Sequence, residues 1–229
     1  MSDAGDDTGL PPLAGDRADD DALWAIFSGS RNPMLLADDD RRYVNANAAA
    51  CELLGYDLAA LRTLRIDDIA LPENRPFMDE VWRDFLDRGG SIGRFGIVRS
   101  DGTSVEVEFS ATARVAPGLH LTILLNPLLA DDPPAPDGAE AGKRSLDEPV
   151  PAVASHTGNV LTASERRVMT LLALGHNWHE VADETGTSPA DVRDAMQSAM
   201  DKLGGRTRAH AVSIAIRAGE IDPSDPSLA

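Results

Sequence analysis

The chain has 229 residues, with 38 Asp and Glu against 21 Lys and Arg and a formal net charge of −17. This length allows two domains of modest size, each with its own core. A single cysteine excludes an internal disulfide, and no apolar run approaches the length of a membrane span. The first residues are acidic and lack an apolar stretch, so they do not form a signal peptide, and we expect a soluble, cytoplasmic protein.

Acidic residues are concentrated at the start of the chain and in one internal segment. Residues 1–21 carry seven Asp and one Arg, and residues 126–160 carry six acidic and two basic residues with six prolines. Segments of this composition do not bury enough apolar surface to fold. We therefore predict a disordered acidic tail over 1–21, a Pro-rich linker over 126–160 and a C-terminal tail over 222–229, with few contacts between the domains that the linker joins.

Residues 22–125 begin with helices and short strands. In chain order, the predicted elements are a helix at 22–27, strands at 33–37 and 43–44, small helices at 46–54 and 58–61, and a longer helix at 76–87. The side chains of the longer helix that are expected to face inward are Phe77, Val81, Trp82 and Phe85. The charged run Asp38-Asp39-Asp40 is interpreted as a solvated turn rather than a cation site, because no second ligand cluster accompanies it.

Extended segments complete this region. An Asp101-Gly102 turn joins two strands, and the second strand alternates apolar and polar residues from Val105 to Thr112, as in a hairpin with one buried face. A third long strand covers 119–125, where His120 alternates with leucines and is therefore expected to point away from the core. This order predicts an α+β fold, an antiparallel sheet with helices on one face.

Several short motifs in this region resemble a PAS domain. They are Asn32-Pro33, the run from Tyr43 to Ala50, Leu53-Leu54-Gly55-Tyr56, Arg99-Ser100-Asp101-Gly102-Thr103 and the terminal strand. The resemblance implies a PAS-like sensor domain over 22–125, with a pocket between sheet and helices for an unidentified small ligand. No cofactor is evident, because the chain lacks the Asn-Cys-Arg motif of flavin-adduct photoreceptors and the helix at 76–87 lacks the axial His of common haem sensors. Cys51 is interpreted as a small buried residue.

Residues 161–221 contain the start and stop signals of four short helices. Thr162 and Glu165 form a capping box for the first helix, and Gly175 ends it. The remaining signals are Asn177 and Gly186 for the second helix, Ser188, Pro189 and Gly204 for the third, and a fourth helix from about Thr207 to Ala218. A short helix, a tight glycine turn and a capped helix with one free polar face are typical of a helix-turn-helix.

The spacing of these residues resembles the DNA-binding domain of the LuxR type. The residues that carry the resemblance are Leu161-Thr162, Glu165, Val168, Gly175, Val181-Ala182, Gly186, Ser188-Pro189, Val192, Lys202-Leu203-Gly204, Arg206, Arg208 and Ala211-Val212. In that family the third helix reads DNA and the fourth commonly mediates dimer contacts. By position, the resemblance implies base contacts from Arg193, Asp194 and Gln197. It implies phosphate contacts from Thr187, Ser188, Lys202 and Arg208. Dimerisation is assigned to Ala211, Val212, Ala215 and Ile216 of the fourth helix. These residues are expected to give the helix more apolar surface than one small domain can bury.

The charge of this region departs from the family pattern. Residues 161–221 carry seven basic and eight acidic residues, and Asp194 lies on the face that would read bases. Because phosphate neutralisation supplies most non-specific affinity, we expect a monomer to bind DNA weakly. Two interpretations stay open: a one-component transcriptional regulator that senses a ligand or partner and binds operator DNA as a dimer, or a protein-interaction and dimerisation regulator with weakened DNA affinity.

Enzyme chemistry is not expected. The chain has no Gly-rich phosphate loop and no nucleophile elbow, and its nearest candidates for metal ligands, His176 and His179, only flank a helix start. We therefore predict no catalytic residues and no metal site. The expected partners are double-stranded DNA, a second copy of the chain and a small ligand.

Overall fold

A computed structural model describes residues 17–125 and 160–221. In the first range, five strands form one antiparallel sheet in the order β2-β1-β5-β4-β3. The strands are β1 (Met34–Asp38), β2 (Tyr43–Ala46), β3 (Gly90–Val98), β4 (Ser104–Ala116) and β5 (Leu119–Leu125). The hairpin turn at Asp101-Gly102 is present, with Gly102 at φ +81°.

Five helices accompany the sheet. They are α1 (Arg17–Gly29), α2 (Ala48–Leu54), α3 (Leu58–Leu61), α4 (Ile66–Ile69) and α5 (Met78–Arg88), with a 3-10 turn at Arg75–Phe77 before α5. Residues of α2, α3 and α4 share an apolar core with one face of the sheet, which confirms the predicted α+β architecture.

Three details of the prediction are wrong. Helix α1 begins at Arg17, so residues 17–21 are helical and do not belong to the acidic tail. Phe77 is 58% exposed, because it lies in the 3-10 turn before α5 rather than on the inner face of that helix. Cys51 is only half-buried, and burial raises the pKa of its thiol.

The second range forms four helices whose ends match the predicted signals. They are α6 (Ala163–Ala173), α7 (Trp178–Thr185), α8 (Pro189–Leu203) and α9 (Arg208–Arg217). The side chains of Thr162, Asn177 and Ser188 cap the first three, each with a reciprocal carboxylate contact from the third residue of the helix. Gly186 and Gly204 adopt the left-handed conformation that ends α7 and α8.

The sheet is buried on both faces. On β5, Leu119, Leu121 and Ile123 belong to an apolar cluster that also contains residues of α6, α7, α8 and α9. His120 is 2% exposed and lies on the opposite face, towards α5, so the expectation that it points away from the core is wrong. The alternating leucines of β5 are instead the face on which the helical unit packs.

The helical unit and the sheet therefore share one core, and the expectation of few contacts between them is wrong for the described residues. The predicted linker lies outside these residues except for Val160, as do residues 1–16 and the C-terminal tail. Across 17–125 and 160–221, no helix has the length and apolar character that crossing a membrane requires.

Asn47 offers a test of how the α+β fold is held together. This side chain is 4% exposed; its Oδ1 accepts hydrogen bonds from Ala50 N at 2.9 Å and Met34 N at 3.0 Å, and its Nδ2 donates to Ser30 O and Asn32 O. Asn47→Ala removes a helix cap and leaves buried backbone groups without partners, so we expect the free energy of unfolding to fall by about 2–4 kcal/mol in urea denaturation.

The matched control is Asp57→Ala. Asp57 caps α3 through one exposed hydrogen bond to Ala60 N, so its loss is expected to cost no more than about 1 kcal/mol. Equal costs for the two substitutions would contradict the central role assigned to Asn47.

Candidate functional site

Helix α9 lies on the sheet. Ala211, Val212, Ala215 and Ile216 are 0%, 1%, 0% and 8% exposed and belong to the apolar cluster that includes the β5 leucines. The prediction that these four side chains leave a free apolar surface is therefore wrong for this arrangement. The sheet and the core of the helical unit cover them. We refer to the arrangement as the closed form.

Polar contacts accompany the apolar ones between α9 and β4. The hydroxyls of Thr112 and Ser213 are 2.9 Å apart in a buried hydrogen bond. At the N-terminus of α9, Ala209 N donates to Glu108 Oε1 at 3.3 Å, and the Arg208 guanidinium lies 3.9 Å from the same carboxylate. A carboxylate at a helix N-terminus is favourable because the first backbone N–H groups have no partner within the helix.

A second contact joins the segment before β1 to the C-terminus of α6. Ser30 Oγ donates to Ala173 O at 2.6 Å, Arg31 N to Leu174 O at 2.9 Å, and Asn32 Nδ2 to Leu172 O at 2.8 Å. The last carbonyl groups of a helix have no donors within it. The sheet domain supplies those donors through Ser30, Arg31 and Asn32, which we term the capping segment.

Gly175 lies at the closest approach of this contact. Its φ is +85°, and a Cβ added there would lie 2.7 Å from Asn32 N and 2.8 Å from the Arg31 Cβ. The sequence predicts that this glycine ends a helix. The structure shows a second role, because the absence of a side chain leaves room for the capping segment, which lies more than 140 residues away in the chain.

Arg31 also forms a bidentate ion pair with Glu180 of α7. Its Nη1 and Nη2 lie 3.1 and 2.6 Å from the two carboxylate oxygens. These hydrogen bonds, with one from Asn177 N, lower the pKa of Glu180 from 4.5 to about 2. The ion pair therefore links the sheet domain to the second helix of the helical unit at neutral pH.

A cavity of about 120 Å³ lies on the other face of the sheet, between the strands and α5. Its walls are mostly apolar and include several aromatic rings. The aromatic lining residues are Tyr43, Trp82, Phe85, Phe95, Phe109 and His120. Trp82 and Phe85 contact the His120 ring in edge-on arrangements, with ring centroids 5.1 and 5.5 Å away.

Both nitrogens of His120 have partners. Arg114 N donates to Nδ1 at 3.1 Å, so the ring proton lies on Nε2, which is 3.0 Å from Asp39 Oδ1. Trp82 Nε1 donates to Asp39 O at 3.1 Å. The turn Asp38-Asp39-Asp40, for which the sequence predicts only solvation, thus positions two of the rings in the cavity wall through Asp39.

The residues implied to contact DNA are mostly accessible. Thr187, Ser188, Arg193, Asp194 and Gln197 are exposed. The Ser188 hydroxyl is engaged in the α8 cap with Asp191, and Gln197 donates to Asp201 Oδ1 at 3.0 Å.

Two of the implied phosphate contacts have other partners here. Lys202 Nζ lies 2.6 and 2.7 Å from the oxygens of Glu165, and Arg208 lies 5.5 Å from the ring centre of Trp178, which Arg193 approaches to 6.0 Å. Burial alone would raise the pKa of Glu165, but hydrogen bonds from Lys202, Thr162 and other donors outweigh it and lower that pKa to about 2. Lys202 is therefore held as a structural ion pair between α8 and α6.

Sequence reasoning missed the capping segment, Glu108 and Trp178. The sequence indicates Asn32-Pro33 only as a PAS-like motif, and nothing local indicates that Asn32 also contacts a second domain. The unbroken apolar run in β1 was the one available signal, because a strand with apolar residues in consecutive positions is typical of a sheet covered on both faces. Among the described residues, no group of three or more His, Cys, Asp or Glu is arranged to hold a metal ion.

Residues 25–88 match the family model for the PAS domain. Together with the five-stranded antiparallel sheet and its helices, this match shows that the first described range contains a PAS domain. No curated protein sequence matches the chain.

Solved structures with a similar fold include three from different bacteria. A domain of a sensory box sensor histidine kinase/response regulator from Geobacter sulfurreducens has 18% identity and a TM-score of 0.42, over 45% of this chain and 90% of that one. The ethanol-bound PAS domain of a LuxR-family transcriptional regulator from Burkholderia thailandensis has 14% identity and a TM-score of 0.38, over 44% and 93%. The Rhodobacter sphaeroides LOV protein has 14% identity and a TM-score of 0.43, over 90% and 96%.

Gly175→Ala tests the contact between the capping segment and α6. The new methyl group collides with Asn32, so we expect the closed form to open, with faster exchange of the Arg31 amide hydrogen and a larger radius of gyration in X-ray scattering. Gly186→Ala is the matched control, since Gly186 also has positive φ but no neighbour within 4 Å. Both variants bear a left-handed strain of about 1–2 kcal/mol. If both open equally, the strain rather than the contact is responsible.

Arg31→Gln tests the ion pair. The pKa of Glu180 is lowered in the closed form, so this group contributes stability above its unfolded pKa of 4.5 and loses it as the pH falls towards about 2. Without the guanidinium, we expect the Glu180 pKa to rise towards its ordinary value in an NMR titration of the carboxyl carbon. Arg42→Gln, at an exposed arginine of the same domain, is expected to leave it unchanged. An unchanged pKa in Arg31→Gln would assign the shift to the capping hydrogen bond from Asn177 alone.

Proposed function

We propose that the protein is a one-component transcriptional regulator. In this proposal the PAS domain senses a small ligand or partner, and the four helices form a LuxR-type helix-turn-helix domain that binds operator DNA as a dimer. The observation that carries it is the position of α9: the helix assigned to dimer contacts is covered by the sensor sheet, whereas the DNA-reading face of α8 is exposed.

The closed form is then a monomer with an accessible but weak DNA-binding face. On α8, Asp191, Asp194 and Asp201 oppose Arg193, and the charge of Lys202 is compensated by Glu165. One such face neutralises few phosphates, and phosphate neutralisation dominates affinity for DNA. A two-fold pair binds two half-sites at once and gains the effective concentration of the second contact.

Control of dimerisation would therefore control DNA binding. When α9 leaves the sheet, the apolar side chains that it buries there become available for an equivalent helix of a second copy. The same surface cannot contact the sheet and a partner together. The sensor thus regulates the helical domain by competing for α9.

The alternative is a protein-interaction regulator that pairs with another chain without strong DNA binding. The specific observation in its favour is the acidic character of α8, whose one basic side chain in the C-terminal turn is already paired with Glu165. Under this alternative, release of α9 would still allow dimerisation, but DNA affinity would stay low.

Leu121→Glu in β5 tests the proposal from the sensor side without changing α9. Leu121 is 3% exposed and pairs with Thr112, which bonds to α9. A carboxylate is costly there in the closed form but is hydrated once α9 has left. We expect sedimentation to show a dimer, and electrophoretic shift at fixed salt to show at least tenfold tighter binding to genomic operator fragments than the wild type.

Ser104→Glu adds the same charge at an exposed position of β4 and is expected to behave as the wild type.

Arg193→Ala, added to Leu121→Glu, should relax the preference at one base position per half-site, because arginine reads guanine through a bidentate contact. A Leu121→Glu dimer with no gain in DNA affinity would support the protein-interaction alternative. A monomer would contradict the assignment of α9.

A further inference from the structure

We propose that the PAS cavity binds a small, uncharged molecule with a single aromatic ring and one hydrogen-bonding group, and that this molecule is the signal that acts on α9. The second clause rests on the proposed function, whereas the ligand class rests on the cavity alone.

The size of the cavity sets the size of the ligand. At about 120 Å³ it is slightly smaller than an apolar cavity of about 150 Å³ that is known, in another protein, to hold benzene. A single six-membered ring with a small substituent matches this space. A larger fused-ring molecule exceeds this volume.

The chemistry of the lining excludes charge. Its residues include no Lys, Arg, Asp or Glu. His120 is its one imidazole, and both ring nitrogens are occupied by Arg114 and Asp39. An ionised ligand would therefore lose its hydration without gaining a counter-charge, which is strongly unfavourable.

The shape of the lining favours a flat ring. Trp82, Phe85 and His120 form one aromatic wall, and Phe95 and Phe109 lie in an edge-on pair with centroids 6.3 Å apart. Aromatic rings prefer offset or edge-on contacts of this kind. Tyr43, Ser91 and Thr122 are the hydroxyl-bearing residues of the lining, and we assign them as the candidate partners for the single hydrogen-bonding group of the ligand.

Strand β5 connects the cavity to α9. His120, Thr122 and Leu124 line the cavity, and the residues between them, Leu121 and Ile123, lie in the cluster with α9. A ligand that displaces this strand by a fraction of an ångström disturbs the packing of α9, because close-packed surfaces do not deform continuously. The ligand then acts by binding the open form more tightly than the closed form.

The test uses the full-length protein, with phenol as the neutral probe and benzoate as its charged counterpart at neutral pH. We expect phenol to bind in an NMR titration, with nuclear Overhauser contacts from its ring protons to the methyl groups of Ala111, Thr122 and Leu124. Benzoate is expected to bind at least tenfold more weakly. Equal affinity for the two probes, or contacts outside the cavity, would overturn the proposal.

Ala111→Leu adds three carbon atoms in the cavity and should weaken phenol binding at least tenfold. Ala59→Leu makes the same change at an exposed position of α3 and should leave the affinity unchanged. If Ala111→Leu does not fold, the contacts observed in the wild type still decide the matter.

Phenol should also shift the wild type towards the dimer in sedimentation. Phenol binding without this shift would overturn the signalling clause and leave the ligand class standing. Both binding results are obtained without DNA, so failure of operator binding by Leu121→Glu would refute the proposed function and not the ligand class.

Discussion

The burial of one sheet on both faces governs the arrangement of this protein. β5 lies between β1 and β4, so its side chains alternate between the PAS cavity and the apolar cluster with α9. Neither face of a strand in this position is exposed to solvent, and each of its side chains packs into one of two cores. The cavity and the contact with α9 are therefore separated by the thickness of a single strand, so the regulation that we propose needs no long pathway between the two sites.

The two covered faces also explain where sequence reasoning succeeds and where it fails. The ends of a helix depend on residues that are close in sequence, such as the capping box of Thr162 with Glu165 or the C-terminal Gly186. The four C-terminal helices could therefore be predicted together with their caps. The strands and the hairpin turn could also be predicted from the sequence. The orientation of His120 was wrong because alternation shows that a strand has two faces but does not show which face meets which partner. The position of α9 depends on contacts distant in sequence, which no local period encodes.

The interface combines apolar contact with hydrogen bonds that complete unfinished helices. The capping segment supplies donors to the last carbonyls of α6, and Glu108 accepts from the first N–H of α9. In the open form that we propose, water replaces these partners, so the hydrogen bonds orient the interface more than they stabilise it. The apolar cluster provides most of the favourable free energy, and the net charge of −17 opposes close association only weakly at physiological salt.

The small volume of the cavity limits the energy available for switching. A very small ligand gains at most about 1.5 kcal/mol per non-hydrogen atom, so a molecule of phenol size gains roughly 10 kcal/mol at best. Reversing a preference of 99 to 1 requires about 5.5 kcal/mol of difference between the two forms. More than half of the largest attainable binding free energy would then have to be a difference in affinity between the closed form and the open form. A cavity of this size suits only a closed form that is slightly favoured, and such a protein would keep a measurable basal population of the open form in the absence of its signal.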